Sequence, residues 1–406
     1  MPESLVCAGC SLLCDDVAVA GGRFEPACPL GAQWLAERSA AEAAGEMPEA
    51  IVDGEPVEIE VALARAAELL RTGRRPLVHG FAGATVEDAR AALTLADRLG
   101  ALVATAGPDG VWAGAPAFGL RGACTATLGE IRDRSELVVV WREDLETTHP
   151  RLLERLGFGA ARSAAAGPGS NGDRVLAIVD DRDTPTARRA GLRLNWSQER
   201  DAEALGALHL LECDRERPDV DGGLREALDP LLRQLRSVAH ATFVYGPELA
   251  AGRGGQRRAL ALHELVRQLS HGRHVVTLSL AGAPGVRGAD EVLTWQTGYP
   301  GTVDLGSGHP ELVTCTVPVS EHERVDVALR VGDDPLAVGD AAVIALSPDP
   351  GATAPEVWIA TAPAGVEAGG TMHRLDGVPL ALRPPRPSVA PSSAELLHRL
   401  AEAILG

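Results

Sequence analysis

Four cysteines stand at the start of the chain, Cys7, Cys10, Cys14 and Cys28, and they are four of the seven cysteines in 406 residues. The C-x2-C-x3-C spacing places the first three thiols on one tight loop, and the fourth follows after thirteen more residues. An iron–sulfur cube needs such an arrangement, because four thiolates must reach its corners from a folded-back loop. The spacing therefore favours a 4Fe-4S cluster with these four cysteines as its ligands.

Other interpretations of the same cysteines stay open. A structural zinc site also uses four cysteines, but usually as two C-x2-C pairs, and only one such pair occurs here. An empty relic site is a further alternative. Disulfides would need an exported chain, and the start MPESLVCAGC has neither a basic segment nor an apolar one typical of a signal peptide. We therefore expect a cytoplasmic protein.

Composition excludes several classes of function. The formal charge of −18 argues against nucleic acid and anionic membrane as partners, and no apolar run approaches the length of a membrane span. The chain contains no lysine, so all 38 basic residues are arginine. Schiff-base chemistry and the lysine of a phosphate-binding P-loop are thereby excluded. The length is sufficient for more than one hydrophobic core.

Short apolar runs alternate with amphipathic segments along most of the chain. Strands are predicted at 77–81, 101–105, 137–141, 175–180, 241–246, 274–280, 325–332, 342–347 and 357–362. Helices are predicted at 61–71, 85–100, 127–134, 149–156, 255–270 and 394–405. Strands that are apolar throughout are expected in parallel sheets covered on both faces. The pattern indicates a two-lobed α/β fold with doubly wound sheets.

Familiar catalytic motifs are missing from this pattern. No G-x-G-x-x-G follows a strand, and neither a G-x-S-x-G elbow nor an H-E-x-x-H helix occurs. The eleven histidines are dispersed. His271 and His274 are interpreted as solvated loop residues, and His149 as a local helix cap. Pattern alone thus predicts a cytoplasmic α/β protein with an iron–sulfur loop.

Several stretches, in this order, carry a resemblance to a known family. They are CAGCSLLCDDVAV with EPACPLG, TLGEIRDRSELVVVW with THPR, VDDRDTPTA, LTWQTGYPGTVDL and EAGGTMHRLDGVPLALR. With these stretches the chain resembles, over almost its whole length, the B subunit of formylmethanofuran dehydrogenase. That family includes the B subunit of the bacterial formyltransferase/hydrolase complex. LTWQTGYP and the Gly-Thr-x-x-Arg-x-Asp-Gly-Val-Pro pattern are far more specific than a short motif.

The resemblance implies the α/β fold of the molybdopterin-dependent formate dehydrogenases, with a small N-terminal iron–sulfur domain and two doubly wound α/β lobes. The expected boundaries are 1–50 for the cysteine domain with 363–385 packed against it, 51–135 and about 240–320 for the first lobe, 136–239 for the second lobe, and 321–406 for closing strands, a connector and a C-terminal helix.

In this family a tungsten or molybdenum pterin centre requires a Cys or selenocysteine ligand followed by a catalytic His. Ungapped spacing places that ligand near Gly110, yet residues 106–122 contain no Cys, His or Ser. Cys124 is interpreted as a small buried residue rather than a displaced ligand. The family's Asp-Pro-Arg pterin contact appears here as Asp180-Asp181-Arg182. Because a soft metal needs its thiolate, we expect no catalytic residue and no bound molybdopterin or tungsten.

The resemblance therefore implies a non-redox scaffold subunit. It would be the B subunit of a complex that acts in tetrahydromethanopterin-linked one-carbon metabolism of methylotrophs, in which formaldehyde is converted to formate. The implied partners are an amidohydrolase-like hydrolase, a formyltransferase, the C subunit of the complex and a methanofuran-like carrier. In that case the four-iron cluster is structural or a relic. The alternative is the catalytic chain of a tungsten or molybdenum formylmethanofuran dehydrogenase that uses a 4Fe-4S cluster.

Overall fold

The computed structural model describes residues 5–20, 23–43, 48–105, 120–158, 174–213, 221–250, 252, 254–280, 282–313, 325–333, 338–351, 354–388 and 390–405. The chain divides into two compact units. The first unit comprises residues 1–112 and 282–406, and the second comprises residues 113–281. No helix in the described part of the chain is both long enough and apolar enough to cross a bilayer.

In chain order the strands are β1 (Ala18–Ala20), β2 (Arg23–Glu25), β3 (Ala50–Val52), β4 (Glu55–Val57), β5 (Pro76–Gly80), β6 (Leu102–Ala104), β7 (Leu137–Trp141), β8 (Val175–Val179), β9 (Leu192–Leu194), β10 (His240–Tyr245), β11 (His274–Ser279), β12 (Thr302–Asp304), β13 (Glu311–Leu312), β14 (Val327–Val331), β15 (Ala342–Ser347), β16 (Val357–Ala360), β17 (Gly370–His373) and β18 (Pro379–Leu382).

The helices are α1 (Pro29–Ala43), α2 (Ile59–Thr72), α3 (Val86–Leu99), α4 (Leu128–Arg134), α5 (Leu145–Thr148), α6 (Leu152–Arg155), α7 (Asp201–Glu212), α8 (Gly222–Ser237), α9 (Pro247–Ala250), α10 (Gly255–Leu269), α11 (Val286–Thr297) and α12 (Ser393–Leu405).

The first unit is built on a nine-stranded sheet in the order β13-β12-β6-β5-β14-β15-β16-β3-β4. Its five central strands are parallel, and antiparallel pairs finish both edges. One face carries a large apolar core to which strands and helices α2, α3 and α12 all contribute. The strand order changes direction between β5 and β14, so the carboxyl ends of these two strands open a crevice of the kind that holds ligands in doubly wound sheets.

The second unit contains a wholly parallel five-stranded sheet in the order β11-β10-β7-β8-β9. Every residue of β7, which is LVVVW, is buried, as the central strand of a covered parallel sheet requires. Here the order changes direction between β7 and β10, which places a second crevice at the carboxyl ends of these strands.

Several predicted elements are confirmed with their boundaries. Thr85 caps α3 in a capping box with Asp88, and Gly100 ends the helix in the left-handed conformation. Of the predicted helix at 149–156, only the short α6 forms, and a separate short helix, α5, precedes it. His149 lies between them, at the end of α5 rather than at a helix start.

The observed units divide the chain differently from the expected lobes. Residues 240–280 lie in the second unit, because β10 pairs in parallel with β7. The segment before residue 135 that contains α4 also lies there. Residues 1–50 and 321–406 are both parts of the first unit, and the latter supplies β14–β16 to the centre of its sheet.

Candidate functional site: a cysteine loop beside a strand-end cavity

Backbone hydrogen bonds fold the cysteine segment into a compact loop. The Cys7 N–H donates to the Cys14 carbonyl at 2.9 Å, and the Leu13 N–H donates to the Cys10 carbonyl at 3.1 Å. A bridge between Leu5 and Val17 closes the base of the loop. Leu13 is fully buried and has a φ of 42°, so its side chain anchors the turn in the apolar interior.

The fourth cysteine arrives from the start of α1. Cys28 immediately precedes this helix, and its carbonyl accepts a hydrogen bond from the Ala32 N–H at 2.8 Å. Burial, helped by the charges of Cys14, Cys7 and Cys28, raises the pKa of the Cys10 thiol to about 12, although a hydrogen bond from the Leu12 backbone opposes the rise. Cys7, Cys14 and Cys28 thus lie close enough to Cys10 to act on it electrostatically.

The donor set of this loop is chemically suited to a thiolate-bound cluster, since it gathers four sulfurs and remains in the thiol state. Cys7 and Cys14 are buried, while Cys10 and Cys28 are half-buried. Among the described residues, no three side chains of His, Cys, Asp or Glu are arranged to hold a single metal ion.

The β17–β18 hairpin packs onto the cysteine loop. Met372 and Leu382 form an apolar cluster with Ala8 and Leu13. The Leu375 N–H donates to the Ser11 carbonyl at 3.0 Å. Residues 363–385 therefore supply part of the surroundings of the cysteines, although they are more than 300 residues away in sequence.

A cavity of about 450 Å³ lies at the β5–β14 crevice, next to the cysteine loop. Ala8 and Gly9 of the loop form part of its wall, and the turn after β5 and the residues after β14 form others. Gly332 is required at this point, because a Cβ on it would lie 2.1 Å from the Ala82 carbonyl oxygen, and its φ is 90°. Close backbone packing between Gly332 and Ala82 thus shapes this wall of the cavity.

Carboxylates dominate the polar part of this cavity. Glu87, Asp88 and Asp333 line it, and none of its described lining residues is Arg or His. The Asp88 carboxylate accepts hydrogen bonds from the Thr85 N–H at 2.8 Å and Thr85 Oγ1 at 2.7 Å. Its other oxygen accepts from the Ala394 N–H at 2.7 Å, at the start of α12. Burial raises the pKa of Asp88 despite these bonds.

The pterin cofactor implied by the resemblance does not fit this lining. A pterin that carries phosphate needs helix amides or cationic side chains to receive the negative charge. The amides of Thr85 and Ala394 are already bonded to Asp88. Glu87 in turn accepts from Thr371 N–H and Oγ1 at 2.8 and 2.9 Å. The chain's own carboxylates thus occupy the amides of Thr85, Thr371 and Ala394.

The second unit's crevice is filled by charged side chains that sequence reasoning missed. Arg142, directly after β7, is buried and has a φ of 55°, a strained conformation for a residue with a Cβ. Its guanidinium donates to both oxygens of Asp201, to Asp181 and to the Trp196 carbonyl. The spacing of these partners along the chain offers no local signal.

Arg182 completes this network across the crevice. It donates to both oxygens of the fully buried Asp180, to Glu248 at 3.2 Å and to the Arg142 carbonyl. Beside it, Glu143 is 5 % exposed and its Oε1 has no hydrogen-bond partner. Gly246 must stay a glycine here, since a Cβ would lie 2.1 Å from that oxygen. The guanidinium groups that could bind a phosphate are therefore engaged by carboxylates and carbonyls.

Three further predictions concern single positions. The expected ligand position near Gly110 lies in 106–119, outside the described residues. Cys124 is exposed, which corrects the expectation of a buried residue: Thr125 bridges to Thr277, and this contact holds the Cys124 backbone at the sheet while its side chain faces solvent. His149 is buried, and burial lowers its pKa to about 4.

The fold, two α/β units whose sheets have parallel central strands, occurs in a solved enzyme complex. It matches a chain in the crystal structure of the formyltransferase/hydrolase complex from Methylorubrum extorquens in complex with methylofuran. The TM-score is 0.72 at 23 % identity, and the match covers 88 % of this chain and 98 % of the other. This likeness shows the fold.

Curated relatives give the more particular result. The chain is 26 % identical over 412 residues to the B subunit of tungsten-containing formylmethanofuran dehydrogenase 2 of Methanocaldococcus jannaschii, covering 94 % of this chain and 93 % of the relative. It is 25 % identical over 437 residues to the protein of that name from Methanococcus maripaludis, covering 99 % and 98 %. The B subunit of the Methylorubrum extorquens formyltransferase/hydrolase complex is 25 % identical over 262 residues, covering 64 % and 67 %.

The predicted resemblance to these B subunits is confirmed: this chain is their homologue. No model of a protein family matches it.

Proposed function

We propose that this chain is the B subunit of a cytoplasmic formyltransferase/hydrolase complex in tetrahydromethanopterin-linked one-carbon metabolism. Its role is that of a non-redox scaffold that keeps the dehydrogenase-like fold, with a cysteine domain and two lobes, and carries no catalytic residue of its own. Hydrolysis and formyl transfer belong to partner subunits, and a methanofuran-like carrier passes between them. The near-complete fold match to a chain of the Methylorubrum complex supports this assignment.

One observation carries the non-redox part of the proposal. The cavity beside the cysteine loop is lined by Glu87, Asp88 and Asp333, and the helix amides at its wall are bonded to Asp88. A phosphate-bearing pterin would therefore meet negative charge, and the two helix amides that could receive its phosphate are occupied. The lack of Cys, His and Ser in residues 106–122 removes the expected metal ligand and proton-transfer partner as well.

For the cysteine loop we propose a structural 4Fe-4S cluster on Cys7, Cys10, Cys14 and Cys28. Such a cluster supplies one-electron transfer when it serves an enzyme. In the scaffold its four bonds would tie the loop to α1. The convergence of three other thiols, those of Cys7, Cys14 and Cys28, on Cys10 supports this proposal.

The first experiment tests the scaffold. The chain is tagged and purified anaerobically with its partners, and iron, zinc, tungsten and molybdenum are measured on the same sample. We expect co-purification with a hydrolase and a formyltransferase, iron and sulfide on this chain, zinc on the hydrolase, and neither tungsten nor molybdenum. A full equivalent of pterin-bound tungsten would overturn the non-redox proposal, and zinc on this chain would replace the cluster.

The second experiment tests the cluster's role. Cys7→Ser is compared with Cys124→Ser, an exposed cysteine of the second unit that serves as the matched control. If the cluster ties the loop to the rest of the unit, Cys7→Ser loses iron and assembles less complex, while Cys124→Ser behaves as the unmodified chain. Assembly that is unchanged in Cys7→Ser would instead identify a relic site.

A second candidate function is that of the catalytic chain in a tungsten or molybdenum formylmethanofuran dehydrogenase. The observation that favours it is the near-complete match to two relatives that are named tungsten-containing, together with the four clustered cysteines. It predicts viologen-linked formate oxidation by the purified complex. Absence of this activity from anaerobic, metal-replete preparations would exclude it.

A further inference from the structure

The cysteine loop carries negative charge next to its predicted ligands. Asp15 and Asp16 directly follow Cys14, and four thiolates would add to their charge when a metal binds. Because the chain has no lysine, any side-chain cation that stays charged at neutral pH must come from an arginine. The structure brings such an arginine to the loop from the distant β17–β18 hairpin.

Arg374, which directly follows β17, is 8 % exposed and is held in a fixed orientation. Its Nε and Nη2 donate to the two carboxylate oxygens of Asp376 at 2.7 and 2.9 Å. This bidentate pair leaves Nη1 on the other side of the guanidinium, where it lies 3.9 Å from Asp15 Oδ2. The Asp376 side chain, between β17 and β18, is fully buried, and its carboxylate fixes the orientation of the Arg374 guanidinium.

The backbone on either side of Arg374 fixes its distance from the loop. The Arg374 N–H donates to the Val378 carbonyl at 2.9 Å, and the Gly377 N–H donates to the Arg374 carbonyl at 2.7 Å. The adjacent Leu375 N–H donates to the Ser11 carbonyl, between Cys10 and Cys14. Burial lowers the pKa of Arg374, but the hydrogen bonds of Asp376 and the charges of Asp376, Asp15 and Cys14 outweigh it and raise the pKa.

We infer that Arg374 is a positioning residue for the metal of the cysteine loop: its guanidinium, oriented by Asp376, holds the Cys14–Asp15 turn and offsets the negative charge of the thiolates. This inference rests on the proposed metal site. Arg374 does not touch the metal and acts through the ligands. Partners of metal ligands tune both the affinity for a metal and its electronic properties.

The test reconstitutes metal-free complex with iron and sulfide, the components of the proposed cluster. Sulfur-to-iron charge-transfer absorption reports the bound cluster and requires no enzymatic activity. Arg374→Ala should weaken retention of the cluster against a chelator by about 10- to 100-fold. Arg374→Lys keeps the charge but loses the guanidinium and should recover part of the loss. Arg383→Ala, an exposed arginine just after β18, is the matched control and should retain the cluster as the unmodified chain does.

A second variant addresses the ion pair itself. Because Arg374→Ala leaves the buried Asp376 without its cation, the double variant Arg374→Gln with Asp376→Asn removes both charges together. It should fold as judged by circular dichroism and still retain the cluster less well. The reduction potential of the cluster in Arg374→Ala should be lower than in the unmodified complex, because a nearby cation stabilises the reduced, more negative cluster.

The outcomes separate the two proposals. If Cys7→Ser forms the cluster with an unchanged absorption band, the metal site itself is wrong. If Cys7→Ser loses the band while Arg374→Ala and the double variant retain the cluster within about twofold of the unmodified complex and the potential in Arg374→Ala is unchanged, only the role of Arg374 is wrong. Weaker retention of the cluster in both Arg374→Ala and the double variant, and a lower potential in Arg374→Ala, with partial recovery in Arg374→Lys, would establish it.

Discussion

Both units have a crevice where the strand order of the sheet changes direction, but the side chains at the two crevices differ. In each, the strand order of a parallel sheet changes direction once, between β5 and β14 in the first unit and between β7 and β10 in the second. In the first unit small residues and glycines leave a cavity of about 450 Å³ at the strand ends. In the second unit Arg142 and Arg182 fill the corresponding place with ion pairs.

Strand order thus forms a crevice in which a ligand could bind, but it does not determine whether one can. The side chains that follow the strands determine this. In the first unit carboxylates accept hydrogen bonds from the helix amides. In the second unit carboxylates accept hydrogen bonds from the guanidinium groups. Each arrangement gives to internal partners the donors that a phosphate would need.

The largest effect is expected from Arg142→Ala in the second unit. Asp201 would remain buried without its cation, since its side chain is fully inaccessible and bonds to both Arg142 Nε and Nη2. Breaking such a pair from one side costs about 3–5 kcal/mol of unfolding free energy. Urea unfolding followed by tryptophan fluorescence measures it. Arg188→Ala, which breaks an exposed pair with Asp183, should leave stability nearly unchanged, and equal losses would contradict the comparison.

Glu143→Gln should change the pH dependence of stability. Burial raises the pKa of Glu143 from 4.5 to about 7, and Glu248 and Asp180 add to this while Arg182 opposes it. Because the folded state holds the proton more tightly than the unfolded state, the contribution of this group is complete below about pH 4.5 and is lost as the pH rises through about 7. The loss amounts to about 3 kcal/mol by about pH 8.

The glutamine variant has no proton to lose, so it should match the unmodified chain near about pH 4.5 and be more stable at about pH 8. Thermal unfolding at the two pH values measures the difference. Glu203→Gln, at an exposed carboxylate, supplies the control. A variant that is less stable than the unmodified chain at the higher pH would show that the Glu143 carboxylate is needed in its charged form.

Asp88→Ala tests the first unit. It removes hydrogen bonds at the starts of two helices, from Thr85 before α3 and from Ala394 in α12, and should cost about 1–3 kcal/mol. The freed amides should also let added phosphate raise the melting temperature of the variant more than that of the unmodified chain. Asp97→Ala, an exposed carboxylate of α3, controls for charge. Equal phosphate effects in all three proteins would count against the idea that carboxylates block the cavity.

The smallest effect is expected from Glu248→Gln. Its ion pair with Arg182 is about half exposed on both sides, so its loss should cost about 0–1 kcal/mol. The same change should move the stability midpoint of Glu143 to lower pH, because the charge of Glu248 helps to raise that pKa. A cost above about 2 kcal/mol would mean that this pair, rather than the buried Arg142–Asp201 pair, closes the crevice.

Much of the local structure was predictable because its causes are local. The capping residues Thr85 and Gly100 mark the ends of α3, and the apolar run LVVVW marks a buried central strand. The spacing of Cys7, Cys10 and Cys14 likewise predicts a shared loop, and the backbone bond between Cys7 and Cys14 closes one.

The missed features depend on partners that are remote in sequence. The pairing of β10 with β7 decides which unit contains residues 240–280, and neither strand encodes that choice locally. No element was predicted at α7 or α8; the interior Pro230 disrupts the expected signal of α8. Arg374 and Asp88 were missed because their roles arise from contacts with Asp15 and Ala394, which no short motif can show.

The interrupted path of the first unit has a consequence for how the protein is made. The Arg74 N–H donates to Asp326, 252 residues later, at the point where β14 joins β5 in the middle of the sheet. During synthesis the whole second unit, a single segment of chain, leaves the ribosome before β14 is made. We therefore expect the second unit to fold first, while residues 1–112 still lack the central strands of their sheet. Such delayed, long-range pairing is slow and exposes unpaired strand edges. The order of translation thus makes the first unit the part of this protein with the greatest need for a chaperone.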